Sequence, residues 1–353
     1  MRNKNDTSIL LDIFKKGISN SEFFNKTRGG RGFIKCTLKI LRLLCFRLFG
    51  GTRKRLASHE VRIIWYPLHE RVLGDKTGLY VVLLDHKNML NGYSFLYYLP
   101  LGSIIRSCLT IPRELQRSRL AYDWCFFSNL VTFLSINNID TITIAGHYDK
   151  YATWISYLAK EMGVFLTISQ HGVNSKYKLP YKIPVNRLET FSKAEEDMFR
   201  STILEPENTE FYIKGFRSSL FFSAGGFETK TVAVASQPGY EDRIVGIIET
   251  LQRINDRLHI VVYSHPSDQF RKGVKTLAQG KIIELEHKAR FYDVDFLIVF
   301  TSTLAYDYWS CPNFKGQVLC CYDKNCVVAL YDDERATVLY PETYENQLKE
   351  ILS

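Results

Sequence analysis

From residue 79 onward, short apolar runs alternate with longer stretches whose apolar positions recur at helical spacing. LYVVLL (79–84) predicts a buried strand ending in Asp85-His86-Lys87-Asn88. A helix over about 118–135 leads into the strand TITIA (141–145), which ends in Gly146-His147-Tyr148-Asp149. Asp149 to Gly163 predicts a helix stopped by glycine, and VFLTI (164–168) the next strand. That strand breaks off in Ser169-Gln170-His171-Gly172, through which no hydrophobic period carries. LETFSKAEEDMFRS (188–201) reads as a short strand and a helix, with Ser192 and Glu195 as a capping box. FYIKGF (211–216) closes the first half, and SSLFFSAGGFETK (217–229), with paired glycines and no period, reads as a linker.

The alternation then restarts. Strands are expected at 231–236, 259–264, 281–285, 296–300 and 317–322, with helices at about 240–256, 267–278 and 303–310 between them. The end, from Pro341 and Glu342, predicts a last helix. Such alternation predicts parallel sheets covered on both faces. The expected organisation is a basic region at 1–55, a Rossmann-like α/β domain at 56–216 and the linker at 217–229. A second Rossmann-like domain at 230–340 and the terminal helix at 341–353 follow, the two doubly wound domains facing a central cleft.

Composition narrows the partners. With 46% hydrophobic and 24% charged residues, the 353-residue chain is globular, and its net charge of +9 suits an anionic partner. The basic residues lack the interleaved aromatics of an RNA-binding sheet, so nucleic acid is not expected. Eight cysteines show no CxxC pair and no zinc spacing, and the adjacent Cys320 and Cys321 read as buried thiols of a reducing compartment. The N-terminus lacks the apolar core of a signal peptide. Residues 33–49 form a basic amphipathic pattern in which Lys35, Lys39 and Arg42 share one helical face, with Arg31, Arg53, Lys54 and Arg55 flanking it. Those three charges within the segment, together with Arg47, argue against a membrane span. The segment 31–55 serves either an anionic membrane surface or the protein's own core. The expected location is the cytoplasm, peripheral at a membrane's inner face in the first of those two readings.

In open parallel sheets, ligands sit beyond the carboxyl ends of the strands. That places the candidate chemistry. His171 follows a strand and, with a pKa near working pH, can take a proton from a hydroxyl nucleophile. Gly172 lets the backbone turn sharply or approach a ligand. Gln170, Gly172, His147 and Asp149 are the candidate acceptor contacts. In the second half, His265-Pro266 ends one strand ahead of a helix N-terminus, an arrangement that binds anions. Thr301-Ser302-Thr303 ends another strand, where hydroxyls either cap the following helix or hold a phosphate. Gln237 and Gly239, in Ser236-Gln237-Pro238-Gly239, make a third corner. No P-loop, GxGxxG, GxSxG or HExxH occurs, and Asp293-Val294-Asp295 reads as a turn rather than a metal-binding DxD. No metal or cofactor is expected.

Two Rossmann-like halves, with QHG closing a strand in the first and SQP, SHP and TST ordered along the second, resemble GT-B glycosyltransferases of bacterial surface-polysaccharide assembly. The HP pair followed by hydroxyls is similar to sialyl- and polysialyltransferases, which use CMP-linked nonulosonic acids. The resemblance implies that His265, Ser302 and Thr303 contact the donor's phosphate and carboxylate. Those families carry an acidic loop where this chain has Gln170-His171-Gly172. A His-Gly loop there resembles teichoic-acid glycerophosphotransferases and capsule Kdo transferases instead. The implied activity is transfer of a sialic acid-like or Kdo-like sugar from a CMP-sugar to a glycan or lipid-linked glycan in lipopolysaccharide or capsule synthesis. His171 would be the general base. The alternatives are a CDP-glycerol- or CDP-ribitol-type polyol-phosphate transferase, or a non-catalytic nucleotide- or glycan-binding subunit of a membrane assembly complex.

Overall fold

A computed structural model of the chain describes residues 7–24, 55–66, 69, 72–73, 79–83, 93–113, 115, 120–216, 222–223, 229–263, 282–285 and 291–353. The basic segment 31–54, the strand-end residues 85–88, His265, Pro266 and the helix expected at 267–278 lie outside the described residues.

The described elements run α1 (Thr7–Phe24), β1 (Glu60–Ile64), β2 (Tyr80–Val82), β3 (Tyr93–Ser94), α2 (Leu101–Leu109), α3 (Leu120–Ile136), β4 (Thr141–Ile144), α4 (Lys150–Met162), β5 (Phe165–Ser169), β6 (Arg187–Thr190), α5 (Lys193–Thr202) and β7 (Glu210–Ile213). There follow β8 (Phe222–Ser223), β9 (Thr231–Ala235), α6 (Glu241–Ile254), β10 (His259–Tyr263), β11 (Ile282–Leu285), β12 (Phe291–Tyr292) and β13 (Phe296–Val299). The chain ends with α7 (Leu304–Trp309), β14 (Gln317–Cys321), β15 (Ala336–Leu339) and α8 (Tyr344–Leu352).

Two sheets carry these elements. The first has the order β3-β2-β1-β4-β5-β6-β7 and the second β11-β10-β9-β13-β14-β15, with β8 and β12 paired apart. The registered pairs in both are parallel. Each order starts from an inner strand, runs outward, then crosses back to the inner strand's other side. That is the doubly wound pattern, and its reversal point falls between β1 and β4 in the first sheet and between β9 and β13 in the second.

The chain divides into two compact units. The first comprises residues 1–171, 177–189 and 200–212, and the second 172–176, 190–199 and 213–353. Residues 174–176 join the second unit through backbone bonds. Lys176 N donates to Val327 O at 2.8 Å, and Ala329 N to Asn174 O at 3.0 Å. The Glu195 carboxylate accepts from Asn174 N at 3.1 Å and from the Tyr306 hydroxyl at 3.0 Å. Ser192 Oγ accepts from Glu195 N, which is the serine half of the expected capping box at the start of α5.

The first unit's core is aromatic. Phe14 of α1, which the sequence reading did not assign to any element, stacks on Trp154 of α4 at 5.6 Å and meets Trp124 of α3 edge-on at 5.2 Å. Asn20 fastens the same helix, donating to Thr153 Oγ1 and Tyr181 O while accepting from Tyr181 N. The second unit is built on β9, every residue of which is buried, between clusters containing Ile248 and Leu251 on one side and Ala305 and Tyr308 on the other. Cys320 and Cys321 are buried in β14, and burial pushes the Cys321 thiol up to about 12.

Two expectations shift. The first sheet gains β1 and β3 and the second β15, and the last helix starts at Tyr344 instead of Pro341 because residues 341–343 form a turn. The DxD run leads into a strand, where Asp295 takes the Thr231 N–H at 2.7 Å and fixes the start of β13 against β9. Among the described residues no helix is long and apolar enough to cross a membrane.

Candidate functional site

The first unit gathers three imidazoles at the carboxyl ends of neighbouring strands. His69 follows β1, His147 follows β4 and His171 follows β5, so the group straddles the reversal point of the sheet. The His171 ring lies 5.0 Å from His69 and 5.2 Å from His147.

His171 Nδ1 sits 2.5 Å from the Ala145 carbonyl. A carbonyl oxygen only accepts, so Nδ1 carries the proton and Nε2 keeps its lone pair. That is the tautomer a base needs. Burial lowers the His171 pKa, against the opposing pull of the Ala145 bond, so the ring is neutral at neutral pH. His69 is 1% exposed, and burial followed by the nearby His171 lowers its pKa to about 3. His147 is 2% exposed, and its pKa is well below the ordinary histidine value, first through burial and then through the other two rings. His171 remains half-buried, the reachable member of the three.

The surrounding residues are architectural. Asp149 Oδ1 accepts from Tyr151 N and Ala152 N, capping α4, and its Oδ2 accepts from Trp65 Nε1 at 2.6 Å. Three donors occupy the carboxylate that the sequence offered as an acceptor contact. Gly146 is glycine because a Cβ there would collide with the Trp65 ring. Gln170 is fully buried and donates its backbone N–H to Glu189 O. The chain bends at Gly172 without a left-handed φ, and a Cβ there would meet open space.

The second unit's corner is built differently. Gln237 follows β9 and Thr301 follows β13, the strands that flank the reversal point of this sheet. The two residues clasp one another. Thr301 N donates to Gln237 Oε1 at 3.0 Å, and Gln237 Nε2 donates to Thr301 Oγ1. Ser302 Oγ accepts from Leu304 N, the first amide of α7, at 3.2 Å. Thr303 occupies the N-cap position of α7 and makes no side-chain cap bond. Gly239 has φ +88°, a left-handed conformation that explains the glycine, and its N–H donates to Glu241 Oε1. Thr301, Ser302 and Thr303 are half-buried and Gly239 is exposed.

Among the described residues no group of three or more His, Cys, Asp or Glu side chains is placed to hold a metal ion. His69 was missed by sequence reasoning. Its signal was the apolar run Val61-Arg-Ile-Ile ending in Trp65-Tyr66-Pro67, a strand with a proline stop ahead of an imidazole.

No protein-family model matches the chain, and no curated protein matches it. Solved structures do. Anabaena Alr3699/HepE in complex with UDP aligns with a TM-score of 0.51 at 10% identity, over 83% of this chain and 88% of that one. The chain has a GT-B fold. The lipopolysaccharide outer core galactosyltransferase WaaB in its apo form aligns at 0.48, with 8% identity over 83% and 89% of the two chains. The wall teichoic acid polymerase TagF aligns at 0.42, with 12% identity over 90% of each. At these identities the likeness is one of fold.

Proposed function

We propose that the chain is a GT-B glycosyltransferase in bacterial surface-glycan synthesis, with His171 as general base and the second unit binding the nucleotide-sugar. The observation that carries this reading is the His171 tautomer, fixed by Ala145 O so that a neutral Nε2 lies at the carboxyl end of β5. The acceptor hydroxyl gives its proton to Nε2, and its oxygen attacks the anomeric carbon of the donor. The bond from that carbon to the nucleotide's phosphate oxygen breaks, and the electron pair leaves on the phosphate. The resulting imidazolium is held by the Ala145 carbonyl, which strengthens its bond to a charged Nδ1–H.

For the donor we propose a CMP-linked sialic acid-like or Kdo-like sugar, on the order of the strand-end motifs. Gln237, Gly239, Thr301, Ser302 and Thr303 would meet it, with His265 and Pro266. No metal enters the step. The acceptor is a glycan or lipid-linked glycan, and the basic segment 31–55 would hold the enzyme at an anionic membrane surface. A uridine nucleotide is the second reading for the donor, favoured by the UDP bound in Alr3699/HepE.

Melting shifts with CMP, CDP, UDP and GDP identify the nucleotide, since a ligand bound only by the folded state stabilises it. Hydrolysis assays with CMP-sugars, UDP-sugars and CDP-glycerol then identify the donor. A protein that no nucleotide stabilises, and that hydrolyses none of these donors, is not this transferase.

A further inference from the structure

His171 is the centre of an unbroken row of five aromatic rings in the first unit. Tyr66 meets His69 edge-on at 5.4 Å, and His69 lies 5.0 Å from His171. His171 is 5.2 Å from His147, which in turn packs on Tyr148 at 4.1 Å. Burial alternates along this row. His69 and His147 are almost wholly enclosed, whereas Tyr66 is 45% exposed and His171 and Tyr148 are half-buried. A ligand therefore meets three rings, a tyrosine on either side of the base, with the two enclosed imidazoles as backing.

The charge of the row is as informative as its shape. Three adjoining imidazoles in a mostly enclosed setting disfavour protonation of one another, and burial lowers the pKa of each. Lys150, the residue after Asp149, pairs its ammonium with Asp123 at 2.5 Å. A carboxylated or phosphorylated acceptor would have to be desolvated here against rings that carry no compensating charge. An uncharged sugar ring fits. Its C–H faces are apolar enough to lie on a tyrosine, and its hydroxyls suit neutral imidazole and phenol groups.

We infer that this row is the acceptor platform and that it takes an uncharged sugar ring, stacked on Tyr66 or Tyr148 with its reactive hydroxyl at His171. The inference rests on the transferase reading only in taking His171 as the base. It separates the two substrates by chemistry, an anionic donor for the second unit and a neutral acceptor for the first.

The test is binding of the full chain to an array of neutral and acidic glycans, alongside nucleotide melting shifts. Neutral glycans should be retained. Tyr66→Ala or Tyr148→Ala should weaken retention at least about five-fold, since aromatic packing contributes on the order of 1 kcal/mol. Tyr66→Phe, which keeps the ring, should bind as the parent does. Retention of acidic glycans alone, retention of none, or binding undiminished in both alanine variants overturns the inference. Nucleotide shifts without neutral-glycan binding leave the transferase standing and remove the platform. Neutral-glycan binding without nucleotide shifts or donor turnover does the reverse.

Discussion

The carboxyl ends of the two sheets invite comparison, because the same strand order produces two different surfaces. In the first unit the reversal point between β1 and β4 is occupied by neutral imidazoles and tyrosines. In the second, the reversal point between β9 and β13 is occupied by an amide, hydroxyls and backbone N–H groups. Under the proposed function, one surface accepts a proton and the other donates hydrogen bonds to an anion. Topology thus fixes where a ligand lies, and the residues just past each strand decide what it is.

The sharpest way to break this comparison is His171→Ala. Transfer should fall about 10²–10⁴-fold, the usual worth of a positioned base, with nucleotide melting shifts unchanged. Near-normal transfer would show that the proton goes elsewhere. Gln237→Ala attacks the other surface. It leaves the Thr301 N–H and hydroxyl without their clasp, which should cost about 1–3 kcal/mol in denaturant unfolding. Nucleotide shifts should shrink while the histidine titrations seen by NMR stay in place.

The three imidazoles give the first surface a pH-dependent stability. An imidazole whose folded pKa lies below 6.5 is protonated in the unfolded chain before it is protonated in the folded one. Stability should therefore fall as pH drops from about 6.5, by about 1.4 kcal/mol per unit for each such group, and for His69 down to about pH 3. His69→Gln should flatten the slope by one group's share. The same sign predicts that the transfer rate persists below pH 6.5 and is lost as pH falls through the lowered pKa of His171. The smallest effect on stability is expected from Ser302→Ala, about 1 kcal/mol for loss of its bond to Leu304 N at the start of α7. Nucleotide affinity should fall as well, and an unchanged affinity would take this hydroxyl out of the proposed donor site.

Much of the fold was legible because fully buried parallel strands are continuous apolar runs. TVAVA and HIVVY announce β9 and β10 with no help from context. β1 hid because Arg62 interrupts its apolar run. In the structure the guanidinium bonds to Leu73 O and Tyr80 Oη, partners that exist only once the sheet has formed. With β1 unread, His69 had no strand to end, and the row of rings was invisible. At the other end of the chain, Pro341 and Glu342 looked like a helix start, but Gln347 turns back to accept from Tyr340 N and Thr343 Oγ1, closing a turn first. His171 was readable for the opposite reason. Its signal was local, an imidazole at an abrupt end of hydrophobicity.

The partner that sets the His171 tautomer is a main-chain oxygen. Every amino acid at position 145 would present that same oxygen, so point mutation there has no direct way to invert the ring's proton pattern. Directed evolution of this scaffold can therefore be expected to vary what surrounds the base far more readily than the way it is poised.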